Sequence, residues 1–349
     1  MNSYKHTWLF GGGGAASWLI GGILREGASI TGILDDNCSG TKGLSGIPIL
    51  SPKSETITKE IKQNSVVIMA ILNPAFDTAV ITKRLIDDGW GRIISFGDWC
   101  EEYYNNTKRC PAPISAKEWI NCDAEFKMVR DLLADSESVQ VFDAFVEFVK
   151  TGKDIFPSIN PILYFPTNIP PVEEPVRMID CGAFTGDTIL QAVSLGYNIE
   201  EVHAFEPDMI NYKKLSEVGR SRDGVISWPC GVGERSETIR FQNQGDMGSF
   251  ADPNGNSLIQ CVKIDDCIPN FSANFIKMDI EGYEFDALKG AEQLLRKYRP
   301  RLAISVYHLA SDILNIPLWI SKIYTKNTSK YYLRHHSRTI ADTVLYVVP

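Results

Sequence analysis

Met178-Ile179-Asp180-Cys181-Gly182-Ala183-Phe184-Thr185-Gly186-Asp187-Thr188 reads as the end of a strand, a glycine-bearing turn and the first turn of a helix. The apolar run 177–181 is strand-like, and residues 187–195 carry helical spacing. Gly182 and Gly186 permit backbone conformations and a close ligand approach that a Cβ would obstruct, while the helix start offers unpaired N–H groups. The reading is a ligand cradle made of Asp180, Gly182, Ala183, Phe184, Thr185 and Gly186. A purely structural strand-to-helix turn uses the same residue types, so the neighbours of the loop must decide.

Twenty residues past Gly186, at the end of the next predicted strand (201–205), stands Glu206, followed by Pro207. A carboxylate there can accept hydrogen bonds from both hydroxyls of a ribose. The spacing Asp-x-Gly-x-x-x-Gly differs from the Gly-x-Gly-x-x-Gly that seats a pyrophosphate on a helix end. Asp180 moreover suits a ligand with a cationic group, which points to S-adenosylmethionine (SAM) rather than a dinucleotide. Further along, the α/β alternation continues through a helix at 209–218, strands at 225–229 and 275–279, a helix at 285–297 and a strand at 302–307. Two β-rich runs, 331–335 and 343–348, predict an antiparallel hairpin at the edge of this parallel unit.

Upstream, prolines at 157, 161, 166, 170, 171 and 175 predict a stiff linker. Helical spacing marks residues 110–156, with Phe126, Val129, Leu132, Leu133, Phe142, Phe145, Val146 and Val149 apolar. Before it lies a second, smaller α/β alternation: strands at 7–10, 28–34, 66–72 and 92–96 separated by helical patterns. The predicted partition is a small parallel α/β domain over 1–105, a helical connector with Pro-rich linker over 106–175, and the larger α/β domain over 176–349.

The whole chain has 349 residues, 44% hydrophobic and 22% charged, which is ordinary globular composition and excludes disordered, collagenous and repeat-built classes. Its net charge of −8 argues against nucleic acid or anionic lipid as partner and for a small-molecule or saccharide acceptor. The eight cysteines form no CxxC pair and read as reduced, mostly buried thiols. No apolar run approaches the ~20 residues that span a bilayer, and the start of the chain lacks the pattern of a secretory leader, so a cytoplasmic protein is expected. A homo-oligomer is compatible with all of this.

A third motif completes the constellation: Phe275-Ile276-Lys277-Met278-Asp279-Ile280-Glu281-Gly282-Tyr283-Glu284. Asp279 ends a strand and Glu281 follows in the loop, so both can face the crevice at the carboxyl ends of the strands. The ordered set IDCGAFTGDT, AFEPD, VKIDDCI, FIKMDIEGYEFDALKGAEQLL and HHS…DTVLYVV resembles the FkbM family of SAM-dependent methyltransferases over residues 176–349. The family commonly carries Asn where Phe184 stands. The resemblance implies a class I, Rossmann-like methyltransferase fold, with SAM held by the loop of Asp180, Gly182 and Gly186 and its ribose by Glu206. It also implies O-methylation of a sugar, nucleotide-linked sugar or polyketide-like hydroxyl.

A hydroxyl acceptor benefits from a base, and Asp279, Glu281 and His308 are the candidates. Asp279 could also contact SAM. Each has a bland alternative: a loop-capping carboxylate for Asp279, a helix cap for Glu281, hydrogen-bonded packing for His308. The same three could instead converge on a divalent metal that orients a diol. At the front of the chain, Gly11 and Gly13 lie in a Gly-x-Gly-x-x-Ala pattern between strand and helix, and Asp35 stands 22 residues beyond Gly13. That domain resembles the N-terminal domain of sugar acyltransferases, which implies nucleotide or nucleotide-sugar binding; a scaffold that kept its turn glycines, or NAD(P) chemistry, remain alternatives. A non-catalytic SAM- or sugar-nucleotide-binding protein is the reading in which no product forms.

Overall fold

The computed structural model describes residues 4–12, 16, 20, 29–37, 46–71, 78–94, 122–151, 159–242, 250–251, 255, 257–309, 311–336 and 342–349. It divides into two compact units: Met1–Asp123 with Asp143–Pro157 and Arg338–Ile340, and Ala124–Phe142 with Ser158–Ser337 and Ala341–Pro349. Among the described residues no helix is long and apolar enough to cross a membrane.

In the first unit β1 (His6–Phe10), β2 (Gly32–Leu34), β3 (Ile49–Leu50), β4 (Ser65–Met69) and β5 (Arg92–Ile94) form a parallel sheet in the order β3-β2-β1-β4-β5. All five residues of β4 are buried, as expected of a strand covered on both faces. The helices α1 (Lys59–Gln63) and α2 (Thr78–Asp87) are among the described residues of this unit. Trp8 and Trp90 meet edge to face at 5.8 Å, and the Trp8 indole N–H donates to Ser65 Oγ at 3.1 Å, which satisfies a buried polar group inside an apolar cluster. Most of the helix predicted at 15–25, and Gly13, lie outside the described residues.

The second unit begins upstream of where the sequence suggests. Its helices α3 (Asp123–Leu132) and α4 (Ser136–Thr151, which belongs to this unit as far as Phe142) precede β6 (Val176–Cys181). Then come α5 (Asp187–Ser194), β7 (Ile199–Phe205), α6 (Met209–Ser221) and β8 (Val225–Trp228). A small sheet follows, from β9 (Gly231–Val232), β10 (Glu237–Gln242), β11 (Phe250–Ala251) and β12 (Ser257–Val262), in the order β11-β10-β12-β9. The chain continues through α7 (Ile264–Cys267), β13 (Phe275–Met278), α8 (Glu284–Gly290), α9 (Glu292–Tyr298), β14 (Arg301–Ser305), α10 (Asp312–Ile320), β15 (Lys330–His335) and β16 (Thr343–Val348).

The large sheet has seven strands in the order β15-β16-β14-β13-β6-β7-β8. Strands β14, β13, β6, β7 and β8 are mutually parallel, whereas β16 is antiparallel to both β14 and β15. The predicted hairpin is there, but its second strand is inserted beside β14, and β15 takes the edge. Winding reverses between β6 and β13, which opens a crevice at the carboxyl ends of those strands. The single helix predicted at 285–297 is two, α8 and α9, broken at Ala291.

The Pro-rich stretch is not a linker. Tyr164, Phe165, Ile169 and Val172 are buried in the core with Met178, Ala204, Phe275 and Ala303. The Phe165 ring stands 5.3 Å from that of Phe275 and 5.2 Å from that of Tyr197. Prolines without donors do not enter a ladder; the chain runs through bends and turns over 161–169, and its apolar side chains pack into the core. The connector predicted over 106–175 is therefore corrected: its part from Ser158 on belongs to the body of the second unit.

Candidate functional site

The loop after β6 is shaped by its glycines. Gly182 has φ +74°, and a Cβ on it would lie 1.9 Å from the Asp279 carbonyl oxygen, so the approach of the β6 and β13 ends admits only glycine. Gly186, at φ +86°, is the N-cap of α5 with no side-chain cap, which leaves the helix start to other acceptors. Phe184 between them is itself left-handed, at φ 46°. Ala183 is buried; Phe184 and Thr185 are half-buried.

Glu206 closes this loop from β7. Its Oε2 accepts the Phe184 N–H at 2.9 Å and its Oε1 the Asp208 N–H at 2.8 Å, across a turn that contains Pro207. Each oxygen thereby keeps one lone-pair site. Burial pushes the carboxyl up to about 7, against the pull of the two backbone donors. Asp208 then caps α6, accepting from Ile210 N at 2.8 Å and Asn211 N at 3.2 Å.

Asp180 stands elsewhere than expected. It is fully buried, and its cation is internal: Lys277 Nζ lies 3.2 Å from Oδ1. The ammonium also donates to the carbonyls of Gly182 at 2.5 Å and Cys181 at 3.3 Å, and sits 5.2 Å from the Tyr164 ring centroid. Although burial works against its charge, Asp180, Asp279 and Asp187 hold Lys277 above the ordinary lysine range. The pair is a buried strut beneath the glycine loop, and the cation beside Asp180 is the chain's own Lys277.

Across the crevice, β13 delivers Asp279 and the turn after it delivers Glu281 at φ 56° and Gly282 at φ 93°. Glu284, completely buried, holds this turn by accepting Ile280 N at 2.7 Å and Gly282 N at 3.0 Å. The helix that follows, α8, starts after Tyr283 with no side-chain cap, so Glu284 holds the turn and does not cap the helix. His308, just beyond β14, bonds Glu284 Oε1 through Nδ1 at 2.8 Å. Its Nε2 lies 3.3 Å from Asp279 Oδ1 and 3.7 Å from Glu281 Oε2. The three predicted residues thus converge. Asp279 Oδ2 accepts from Tyr164 Oη at 2.5 Å, and Oδ1 from Tyr307 Oη at 3.3 Å. Burial disfavours its charge, but His308, Lys277 and Tyr164 bring Asp279 below the ordinary carboxylate range. Against burial, Glu284, Glu281 and Asp279 keep the His308 imidazole well above its usual value.

Sequence reasoning missed Tyr164, Lys277, Glu284 and Tyr307. Tyr164 lay in the presumed linker. Lys277 and Glu284 lay inside the quoted motif but were read as neighbours of the acids, and a charge in the middle of the buried strand Phe275–Met278 was the signal that could have found the first.

In the first unit, Gly11 follows β1 at φ +103°, packed against Ile71 and Ala70. Asp35 Oδ2 accepts Gly12 N and its Oδ1 accepts Asn37 N, both at 2.8 Å. The acid at the fingerprint position therefore supports its own glycine turn.

Comparison with known proteins follows this geometry. The methyltransferase FkbM domain matches residues 180–329. A crystal structure of methyltransferase FkbM from Methylobacillus flagellatus KT is similar along 99% of this chain and 90% of that one, with 25% identity and a TM-score of 0.71. Perosamine N-acetyltransferase from Caulobacter crescentus matches 25% of this chain and 40% of its own, at 19% identity and TM-score 0.21. Fibrillarin from Aeropyrum pernix, solved with S-adenosyl-L-methionine, matches 52% and 70%, at 12% identity and TM-score 0.34. No curated protein matches the chain significantly.

Proposed function

We propose, from the premise that residues 180–329 are a methyltransferase FkbM domain, that this protein transfers a methyl group from SAM to a hydroxyl of a small saccharide-like or polyketide-like acceptor. The observation that carries the reading is Glu206. A buried carboxylate at the end of β7, with one backbone donor on each oxygen and one lone-pair site left on each, suits the two hydroxyls of a ribose. The loop Gly182–Gly186 and the uncapped start of α5 lie beside it. Those residues fit SAM, which when bound would supply a methyl group already activated on a sulfonium.

The chain's own task is then to align the acceptor and keep water out. Asp279, fixed by Tyr164 and Tyr307, and Glu281, half-exposed on its turn, stand where an acceptor hydroxyl could be bonded. The net charge of −8 favours a neutral or cationic small molecule over nucleic acid. A cytoplasmic setting suits such a substrate.

The test is calorimetric titration with S-adenosylhomocysteine. One site per chain, lost in Glu206→Ala, is the expected result. Absence of heat with the native protein would overturn the reading. Mass spectrometry of candidate sugars and polyols incubated with SAM, looking for the gain of one methyl group, then identifies the acceptor.

A further inference from the structure

We propose that His308 Nε2, Asp279 and Glu281 bind one divalent cation of the Mg2+ or Mn2+ class, with Glu284 as the group that aims the imidazole at it. The starting point is a nitrogen with nothing to bond. The His308 side chain is 7% exposed, and its Nε2 makes no hydrogen bond, although Asp279 Oδ1 is 3.3 Å and Glu281 Oε2 3.7 Å away. Donors that share a metal at about 2.1 Å lie roughly 3.0 to 3.4 Å from one another, according to geometry. Nε2 thus has one oxygen of each acid within 3.7 Å, and Glu281, which lies outside the compact group of Asp279, Glu284 and His308, closes the set by turning its half-exposed side chain inward.

The surroundings orient each donor. With its Nδ1–H given to Glu284 at 2.8 Å, the imidazole turns Nε2 toward the two acids, and an ion that displaces the Nε2 proton would meet a histidine backed by a carboxylate, which raises its strength as a ligand. Glu284 belongs to the compact group with Asp279 and His308, but its oxygens already receive Ile280 N, Gly282 N and His308 Nδ1. It therefore serves as the support. Tyr164 holds Oδ2 of Asp279, which presents Oδ1 to the crevice.

Charge points the same way. Asp279, Glu281 and Glu284 surround one imidazole. So many carboxylates in a poorly hydrated place call for a concentrated positive charge. Two carboxylates and one imidazole are a hard, oxygen-rich set that suits Mn2+ or Mg2+ better than a thiophilic metal. An octahedral ion would keep three positions free, enough for water and for two adjacent oxygens of one acceptor. That last role rests on the methyltransferase reading; the binding of the ion does not.

The experiment titrates Mn2+ into full-length, EDTA-stripped protein and follows the free-ion signal by electron paramagnetic resonance. The expected result is one Mn2+ per chain, displaced by excess Mg2+, weakened at least about tenfold in Glu281→Gln and roughly 10- to 100-fold in Glu284→Gln, and unchanged in Glu206→Ala. Glu281 is half-exposed on its turn, so Glu281→Gln tests the site without unfolding the core. An undiminished free Mn2+ signal, or native retention in an Asp279→Asn, Glu281→Gln double variant, overturns the proposal. S-adenosylhomocysteine binding is measured on the same preparation. Nucleoside binding without Mn2+ defeats the metal site alone, and Mn2+ without nucleoside defeats the methyltransferase reading alone.

Discussion

Glu206 and Lys277 show how one side chain's setting becomes a measurable property. Burial lifts Glu206 from the ordinary 4.5 to about 7, so the folded state holds a proton that the unfolded chain has lost over that interval. Its contribution to stability is full below the unfolded value and falls away as pH rises from about 4.5 through 7. Binding runs the other way, because the ribose hydroxyls are accepted best by the ionised form. The affinity for S-adenosylhomocysteine is expected to rise about tenfold between about pH 6 and 8, and to be flat in Glu206→Gln. A calorimetric pH series checks this. For the buried Asp180–Lys277 pair, removal of one partner is the costly change. Lys277→Met should cost about 3 to 5 kcal/mol in urea unfolding, and adding Asp180→Asn should recover part of it.

At the scale of an element, the segment before β6 matters most. Phe165 packs on Phe275 and Tyr197. Phe165→Ala should therefore lower stability by about 3 to 5 kcal/mol by chemical denaturation, the range for an aromatic deleted from a core. On the sheet edge, Arg334 of β15 is 1% exposed and meets Asp135 through Nη2 at 2.7 Å and Nη1 at 3.2 Å, with Ser138 Oγ at 2.9 Å. Asp135→Ala leaves the buried guanidinium with Glu137, 3.4 Å from Nε, as a carboxylate partner and is expected to cost about 1 to 3 kcal/mol. Burial raises the Asp135 carboxyl but the Arg334 and Ser138 bonds bring it below 3.8 on balance, so this stabilisation is present above that value and is lost as pH falls through the depressed one.

For the whole molecule, the consequence is where the second unit begins. Tyr164, Phe165, Ile169 and Val172 each contribute roughly 1.5 to 3 kcal/mol by burial, together comparable with the 5 to 15 kcal/mol that holds an entire domain. A fragment cut at residue 176, where the methyltransferase-like motifs start, should fail to show cooperative melting by circular dichroism and should not bind S-adenosylhomocysteine. Cooperative unfolding of that fragment with native affinity would show that the upstream segment is dispensable.

The strand-turn-helix around residues 178–188, the acid after the next strand and the acidic turn at 279–284 were legible in the sequence, because period-two and helical apolar spacing and obligate turn glycines are local properties. The α/β class followed from the alternation of strands and helices, whereas the meeting of Asp279, Glu281 and His308 was one alternative among several. Three things did not follow. The small sheet β9 to β12 was hidden because its strands are short and half-exposed, with Leu258 65% exposed, so their alternation is weak. The burial of the Pro-rich segment could not be read, since proline forbids a ladder but says nothing of which surface the apolar residues between will cover. The internal cation of Asp180 and the turn-holding bonds of Glu284 could not be read, because a carboxylate's partner is chosen by three-dimensional packing. Lys277 reaches Asp180 across paired strands almost a hundred positions apart, and only the fold brings that ammonium, and the tyrosine at 164, to the floor of the site.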